Sequence, residues 1–265
     1  MARSRTGTLK DDPQFITALA RGLSLLRAFH PGDGPLGNKE LAERTRLPRP
    51  TVARITHTLT RLGYLEHVAR LEKYRLGPAV LSLGYAFLSN LDLRAVAHPM
   101  MAALANDYHV SVCLGARDAL SMIYIDVTQG ADVRTIRLDV GSQVPIGRSA
   151  MGMALLGALP APERTFVIDS LKARHADEWP RLSKVIDRTT AEIEERGFCV
   201  ACRFYDKNIN AAAAPVVFPE RSAVFAINCA APVYQYGEAV FYEEIGPRLY
   251  DLSRDIAAAH RKLHA

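Results

Sequence analysis

Residues 36–62 run Leu36-Gly37-Asn38-Lys39-Glu40-Leu41-Ala42-Glu43-Arg44-Thr45-Arg46-Leu47-Pro48-Arg49-Pro50-Thr51-Val52-Ala53-Arg54-Ile55-Thr56-His57-Thr58-Leu59-Thr60-Arg61-Leu62. Gly37 or Asn38 is suited to cap a first helix, with Glu40 bonding back to Gly37. Leu41 and Ala42 give that helix an apolar side. Leu47-Pro48 closes it, because proline lacks an N–H and disfavours helix in the residue before it. Pro50 suits the first turn of a second helix. Val52, Ile55, Leu59 and Leu62 follow at helical spacing as its buried stripe. Thr51, Arg54, Thr58 and Arg61 are left on the outer side, with Arg49 just before them. Two helices around a tight turn, the second with a basic outer face, form a helix-turn-helix. Its second helix enters a DNA major groove, and the residues near its N-terminus reach base edges. Arg49, Thr51 and Arg54 are therefore expected to read bases, and Arg61 to meet a phosphate.

The flanks extend this reading. Gly63 to Val68 and Lys73 to Leu76 alternate as two strands joined by the charged turn Ala69 to Glu72, which is a hairpin. A hairpin directly after a recognition helix is the wing of a winged helix. Upstream, Phe15, Leu19, Leu23 and Leu26 are spaced as an amphipathic helix that closes a small core. The same pattern also fits a three-helix packing module that never meets DNA, and charge separates the two readings. Residues 1–84 carry 14 basic and 7 acidic side chains, while the rest of the chain carries 19 and 21. Neutralising phosphates needs such a local basic excess.

At 265 residues the chain has room for two domains, and a composition 49% hydrophobic and 23% charged supports ordinary cores. The expected divisions are a flexible arm over residues 1–14, a winged helix over 15–77, a linker helix over 78–91 and a second domain over 92–265. No apolar run is long enough to span a bilayer. The basic start of the chain lacks the apolar segment of a signal peptide. A cytoplasmic protein with no membrane partner is expected. Cys199 and Cys202 form a lone C-x-x-C beside Cys113 and Cys229. No second pair completes a zinc site, so reduced thiols are the reading, with no metal and no cofactor.

Ala79 to Asn90 is an apolar, nearly uncharged helix that must pack on something. A second copy of itself and its own C-terminal domain are both open as partners. Beyond Asp92, helices are expected over Leu93–Tyr108, Ser149–Leu159, Pro162–Ala173 and Leu182–Arg196. Strands are expected over His109–Gly115, Ser121–Val127, Val133–Val140, Ala211–Phe218 and Ala223–Ala231, the last two separated by a turn over Pro219–Ser222. Ile245, Leu249, Leu252, Ile256 and Leu263 mark one face of a closing helix. This is an α+β sensor domain. Its most chemical stretch, Val140 to Gly152, is a loop running into a helix that starts near Ser149. Accessible N–H groups at a helix start attract an anion, here a carboxylate with Arg148 beside it. Plain capping by Ser149, with Gly152 serving close packing, explains the same residues.

Taken in order, Glu40-Leu41-Ala42, Leu47-Pro48, Thr51-Val52 with Arg54, Gly63-Tyr64-Leu65, Tyr74 to Gly77, Leu83-Gly84, Val140-Gly141, Pro145 to Gly152, Gly197-Phe198 and Ala212 to Val216 resemble the IclR family of bacterial transcriptional regulators. The resemblance implies an α+β two-domain protein: an N-terminal winged helix-turn-helix, a linker helix and a C-terminal GAF/profilin-like effector-binding domain. It implies homodimers or homotetramers on operator DNA, repressing or activating in response to a small organic acid. It places the effector against Ser149, Ala150 and Met151, and against Ala211, Asn228 and Ala230, with Arg148 adjoining. The family often has Cys or another residue where Ala211 stands and Ser where Asn228 and Ala230 stand, and Arg148 occupies a position that is usually small. That difference, with Arg203 near the Gly-Phe turn, implies an acid other than the small keto acids. The Ala79–Leu88 helix is similar to the branch that controls aromatic-acid catabolism. Two other readings stay open. One is a DNA-binding protein without a ligand. The other is an enzyme, using His109, Cys113 and Cys199, with an accessory DNA-binding domain; no catalytic motif supports it, and no enzymatic activity is expected.

Overall fold

A computed structural model describes residues 12–131, 139–218 and 224–264. Residues 1–11 of the arm expected over 1–14, residues 133–138 of the strand expected over 133–140, and the turn expected over 219–222 lie outside the described residues. The chain divides into two compact units, residues 1–89 and 90–265.

The first unit holds α1 (Thr17–Leu26), α2 (Asn38–Thr45), α3 (Arg49–Arg61), the hairpin β1 (Leu65–Val68) and β2 (Lys73–Leu76), and α4 (Ala79–Ser89). Glu40 links three of these pieces. Its Oε2 accepts the Gly37 N–H at 2.7 Å, closing the start of α2. Its Oε1 accepts from Lys73 Nζ at 2.7 Å, tying α2 to the hairpin. Helix α2 stops at Arg46, which takes the left-handed conformation. Pro48 then caps α3, placing Arg49 inside the helix and Pro50 in its first turn. The helix-turn-helix core is Leu25, Leu36, Leu41, Val52, Leu59 and Leu65. Leu36 also bridges Tyr74, adding a third short strand contact to the hairpin.

Several expected core positions are corrected here. Leu25 on α1 and Ala28 just after it close the core, while Leu19 and Leu23 are exposed. On α3, Leu62 is exposed and Thr56 is fully buried instead. The Thr56 hydroxyl donates to Asn38 Oδ1 at 3.1 Å, which satisfies it inside the core. The small core needs only one side of α1, so the periodic leucines on the other side stay in solvent.

The second unit holds α5 (Asp92–Tyr108), β3 (Ser111–Asp118), β4 (Ser121–Gln129), β5 (Gln143–Pro145), α6 (Ala150–Ala158), α7 (Ala161–Arg174), α8 (Trp179–Arg196), β6 (Cys199–Val200), β7 (Ile209–Val217), β8 (Val224–Pro232), the single turn α9 (Glu238–Val240), a π-turn over Phe241–Ile245, and α10 (Gly246–Leu263). Among the described residues the strands form one antiparallel sheet in the order β5-β4-β3-β8-β7-β6. Helix α6 lies on one face, buried between the sheet and α8. Helices α5 and α10 pack on each other and on the sheet's other face. Of the expected C-terminal stripe, Ile245, Leu249, Leu252 and Ile256 are buried, but Leu263, in the last helical residue, is exposed. Among the described residues no helix is long and apolar enough to cross a membrane.

Arg44 holds the loop between α1 and α2. Its guanidinium donates to the Ala28 carbonyl at 2.8 Å and to Asp33 Oδ1 at 3.0 Å. The Arg44 hydrogen bond, with a backbone N–H from His30, lowers the Asp33 carboxyl to about 2. A carboxyl lowered in the folded state adds stability above its unfolded value and loses it as pH falls. Arg44→Ala is therefore expected to lower the melting temperature of the winged helix at pH 6. The gap between wild type and variant should narrow as pH falls from about 4 to about 2. A gap that does not depend on pH would contradict the clamp.

Candidate DNA-reading face and ligand cavity

The outer side of α3 exposes Arg49, Ala53, Arg54, His57, Thr58 and Arg61, while Thr51 is half-buried. At 100° per residue, Pro50, Arg54, His57 and Arg61 lie opposite the buried Val52, Thr56 and Leu59. Thr51 and Thr58 sit to one side, where with Arg54 they border a groove lined by Leu19, Leu23 and Leu62. The Thr58 hydroxyl is turned inward along the helix, donating to the Arg54 carbonyl at 2.9 Å. The five residues expected on this face are thus on one helix, with Arg49, Arg54 and Arg61 free to extend.

Other cations join them. Arg46 is exposed in the turn before α3, and Arg70 at the tip of the hairpin. Neither forms an ion pair among the described residues, nor do Arg49, Arg54 and Arg61. The hairpin's Lys73 and Arg75 are instead held by Glu40 and Glu66. Arg46, His57 and Arg70 were not among the residues expected on this face. The charged turn over residues 69–72 was the available signal for Arg70.

The second site is built by strand register. Ser111 pairs with Ala230, which pairs with Ala211 on its other side. The next row on the same face is Cys113, Asn228 and Ala213. Ala213 lies under α6 in the core, with Cys113 at its edge. The outer row, with only alanine and serine side chains, leaves room over the sheet. The start of α6 covers this room from above. Ser149 caps the helix by accepting the Gly152 N–H at 3.1 Å, and donates to the Pro145 carbonyl at 2.8 Å. A Cβ on Gly152 would stand 2.2 Å from the Ile146 carbonyl oxygen, so only glycine lets the helix sit this low.

The result is a cavity of about 40 Å³ lined from β3 by Ser111 and Cys113, from β4 by Tyr124, from α6 by Ser149 and Ala150, from β7 by Ile209 and Ala211, and from β8 by Asn228 and Ala230. Tyr205, on the loop between β6 and β7, closes one side and is half in solvent. Five of the seven expected effector residues therefore meet at one cavity: Ser149, Ala150, Ala211, Asn228 and Ala230. Arg148 and Met151 do not line it. Arg148 pairs with Glu178 and lines a separate outer cleft of about 110 Å³ with Arg181, Phe204 and Tyr205. Met151 is sealed in the core, its sulfur against Gly115. Arg203 is exposed and lines neither space. Ser111, Cys113, Tyr124, Tyr205 and Ile209 were not expected at the site.

The chemistry of the cavity is neutral. No charged side chain lines it. Burial pushes the Cys113 thiol up to about 12 and the Tyr124 phenol higher still, so both stay protonated at neutral pH. Burial likewise raises the Cys199 thiol, and raises Cys202 to about 11. Nucleophilic thiols need the opposite shift. The polar groups available to a ligand are hydroxyls, an amide and the start of α6, where Ser149 takes the Gly152 N–H and the N–H groups before it precede the first bond within the helix.

Known proteins match both units. Residues 18–69 match the IclR helix-turn-helix domain, and residues 85–258 match the bacterial transcriptional regulator IclR C-terminal domain. The HTH-type transcriptional regulator TsaQ1/TsaQ2 of Comamonas testosteroni is 32% identical, over 93% of this chain and 89% of that protein. The Pca regulon regulatory protein of Pseudomonas putida is 28% identical, over 92% of this chain and 84% of that protein. The crystal structure of an IclR family transcriptional regulator from Brucella abortus superposes with a TM-score of 0.88 at 42% identity, covering 96% of each chain. With a winged helix-turn-helix in one unit and a curled sheet in the other, the chain belongs to the IclR family and is a DNA-binding transcriptional regulator.

Proposed function

We propose that this regulator is controlled by a small organic acid bound in the cavity under α6, and that it works as a homodimer or tetramer on operator DNA in the cytoplasm. The observation that carries the sensing half is the meeting of a helix N-terminus with an alanine-floored cavity. The helix start attracts the carboxylate. The apolar floor and the Tyr124 ring accept the body of the acid. The cavity of about 40 Å³ is little larger than one water's share of the liquid, about 30 Å³. An acid with a ring enters only as Tyr205, the half-exposed wall, moves outward. Acids of aromatic catabolism suit this lining, and the likeness to a Pca regulon regulatory protein points the same way.

The dimer reading rests on α4. Its sequence, Ala79 to Ser89, contains no charged residue and none of its side chains is buried. Leu81, Leu83, Tyr85 and Phe87 are all exposed. A second copy would cover this face and place two recognition helices on two half-sites. Sedimentation at micromolar concentration showing only monomer would contradict it.

On the DNA side, Arg54 points from the middle of the exposed face and Arg70 from the hairpin tip. Arg54→Ala is expected to cost about 1–3 kcal/mol of binding and to relax selectivity at one operator position. Arg70→Ala should weaken all sequences alike and reduce the salt slope by about one. Titrations of operator and unrelated DNA at several salt concentrations measure both. Unchanged selectivity in Arg54→Ala would remove that residue from the reading face. For the cavity, a saturating carboxylate should raise the melting temperature of the full-length protein, since it binds only the folded state. Arg148→Ala should keep that shift, because Arg148 lies outside the cavity. Loss of the shift in this variant would place the acid in the outer cleft instead.

A further inference from the structure

Two polar atoms face the cavity with no partner. Ser111 Oγ on β3 and Asn228 Oδ1 on β8 are buried and form no hydrogen bond. Their side chains are only 8% and 6% exposed, and both line the cavity. The other buried unpartnered side-chain atoms among the described residues belong to Arg94, Arg164 and Asn210, away from this cavity. None of those side chains is without a partner: Arg94 Nε itself lies 3.5 Å from Asp126 Oδ1 in an ion pair, and Arg164 and Asn210 donate through other atoms to the Gly157 and Tyr236 carbonyls. The Ser111 side chain has only its one hydroxyl. Buried polar atoms are nearly always paired, and leaving one unpaired costs stability. Two on the same face of neighbouring strands, both at one cavity, mark a place built for a ligand group.

Register fixes their relation. Ser111 faces Ala230 and Asn228 faces Cys113 across the β3–β8 pair. Ser111 and Asn228 are therefore diagonal neighbours on one face, about 7–8 Å apart at Cα, so one small group between them reaches both. The group that fits is a hydroxyl. It donates and accepts at a single atom, as does the Ser111 hydroxyl. It satisfies Asn228 whichever end of the amide faces the cavity. A carboxylate only accepts, and would set its charge against an amide oxygen with no cation in the lining. The acid group therefore belongs at the start of α6, where Ser149 has already committed its hydroxyl and the free N–H groups remain. We propose that Ser111 and Asn228 together read a hydroxyl on the bound acid, so that the regulator selects hydroxy acids over their deoxy counterparts. This rests on the acid-sensing reading above and adds the ligand's second polar group to it.

The test uses calorimetry on the full-length protein with matched pairs of acids: benzoate against each hydroxybenzoate, and propionate against lactate. In at least one pair the hydroxy acid should bind about tenfold more tightly or better, since a site built to bond a hydroxyl penalises its absence. Ser111→Ala and Asn228→Leu should each bring that ratio toward one while leaving the deoxy acid's affinity nearly unchanged. A second readout needs no ligand. Ser111→Ala removes an unpaired buried hydroxyl, so its melting temperature should equal or exceed that of wild type. A clear drop would mean the hydroxyl is paired within the folded chain, and would overturn the inference. Ser111→Ala carries the test alone if Asn228→Leu does not fold. Acids that bind equally across every pair would overturn the hydroxyl reading and leave acid sensing intact. No binding by any of these acids would overturn both.

Discussion

The position of the first turn of α6 decides what the second unit can do. Ser149 fixes it from both ends, accepting from Gly152 and donating to Pro145. Gly152 lets it rest on the Ile146 backbone, where any side chain would collide. From there α6 runs buried between the sheet and α8, covering Ala213 and the Cys113 edge. The row beyond, Ser111, Ala230 and Ala211, is left under the helix start with little side-chain volume to fill it. The cavity is thus a consequence of where a helix begins over a small-residue sheet. Its polar groups are few and each has a definable role. Ser149 is structural; in the reading proposed above, the start of α6 takes the acid group, and Ser111 and Asn228, both without a hydrogen bond, take a hydroxyl.

The first unit follows a different economy. Its core is small, and ion pairs at its edges hold the pieces in register. Glu40 closes α2 and reaches the hairpin, and Arg44 holds the loop after α1. These pairs neutralise Lys73 and Arg44, while the arginines of α3, the preceding turn and the hairpin tip form no ion pair among the described residues. Among the described residues of the first unit, the basic side chains are therefore divided by the fold into cations held in ion pairs and cations left exposed.

Where the sequence carried local physics, it was legible. Pro48, Pro50, Gly37 and Glu40 set the helix-turn-helix boundaries, and the charged turn over residues 69–72 marked the hairpin. Periodicity alone was less informative. Leu19, Leu23, Leu62 and Leu263 share the spacing of core residues but are exposed, because spacing shows that a face is apolar without showing what covers it. The cavity was half legible. The helix start at Ser149 reads directly from a loop rich in small residues. Ser111, Tyr124 and Ile209 do not, because strand pairing brings them there from distant parts of the chain. Arg148, beside the helix start in sequence, is drawn off by Glu178 thirty residues later. Nothing local to Arg148 announces that partner.

A regulator needs its ligand to distinguish two states of the protein, since an acid bound equally well in both would change nothing at the operator. The coupling must also be reciprocal: whatever factor the acid imposes on DNA affinity, DNA imposes on acid affinity. The most direct measurement is a fluorescence-anisotropy titration of operator DNA with the full-length protein, with and without a saturating acid, paired with calorimetry of the same acid in the presence and absence of operator. The account predicts the same factor from both titrations, about 5- to 150-fold in either direction, abolished when the cavity is blocked by Ala230→Phe. An operator affinity unchanged by every acid that binds the cavity would contradict it.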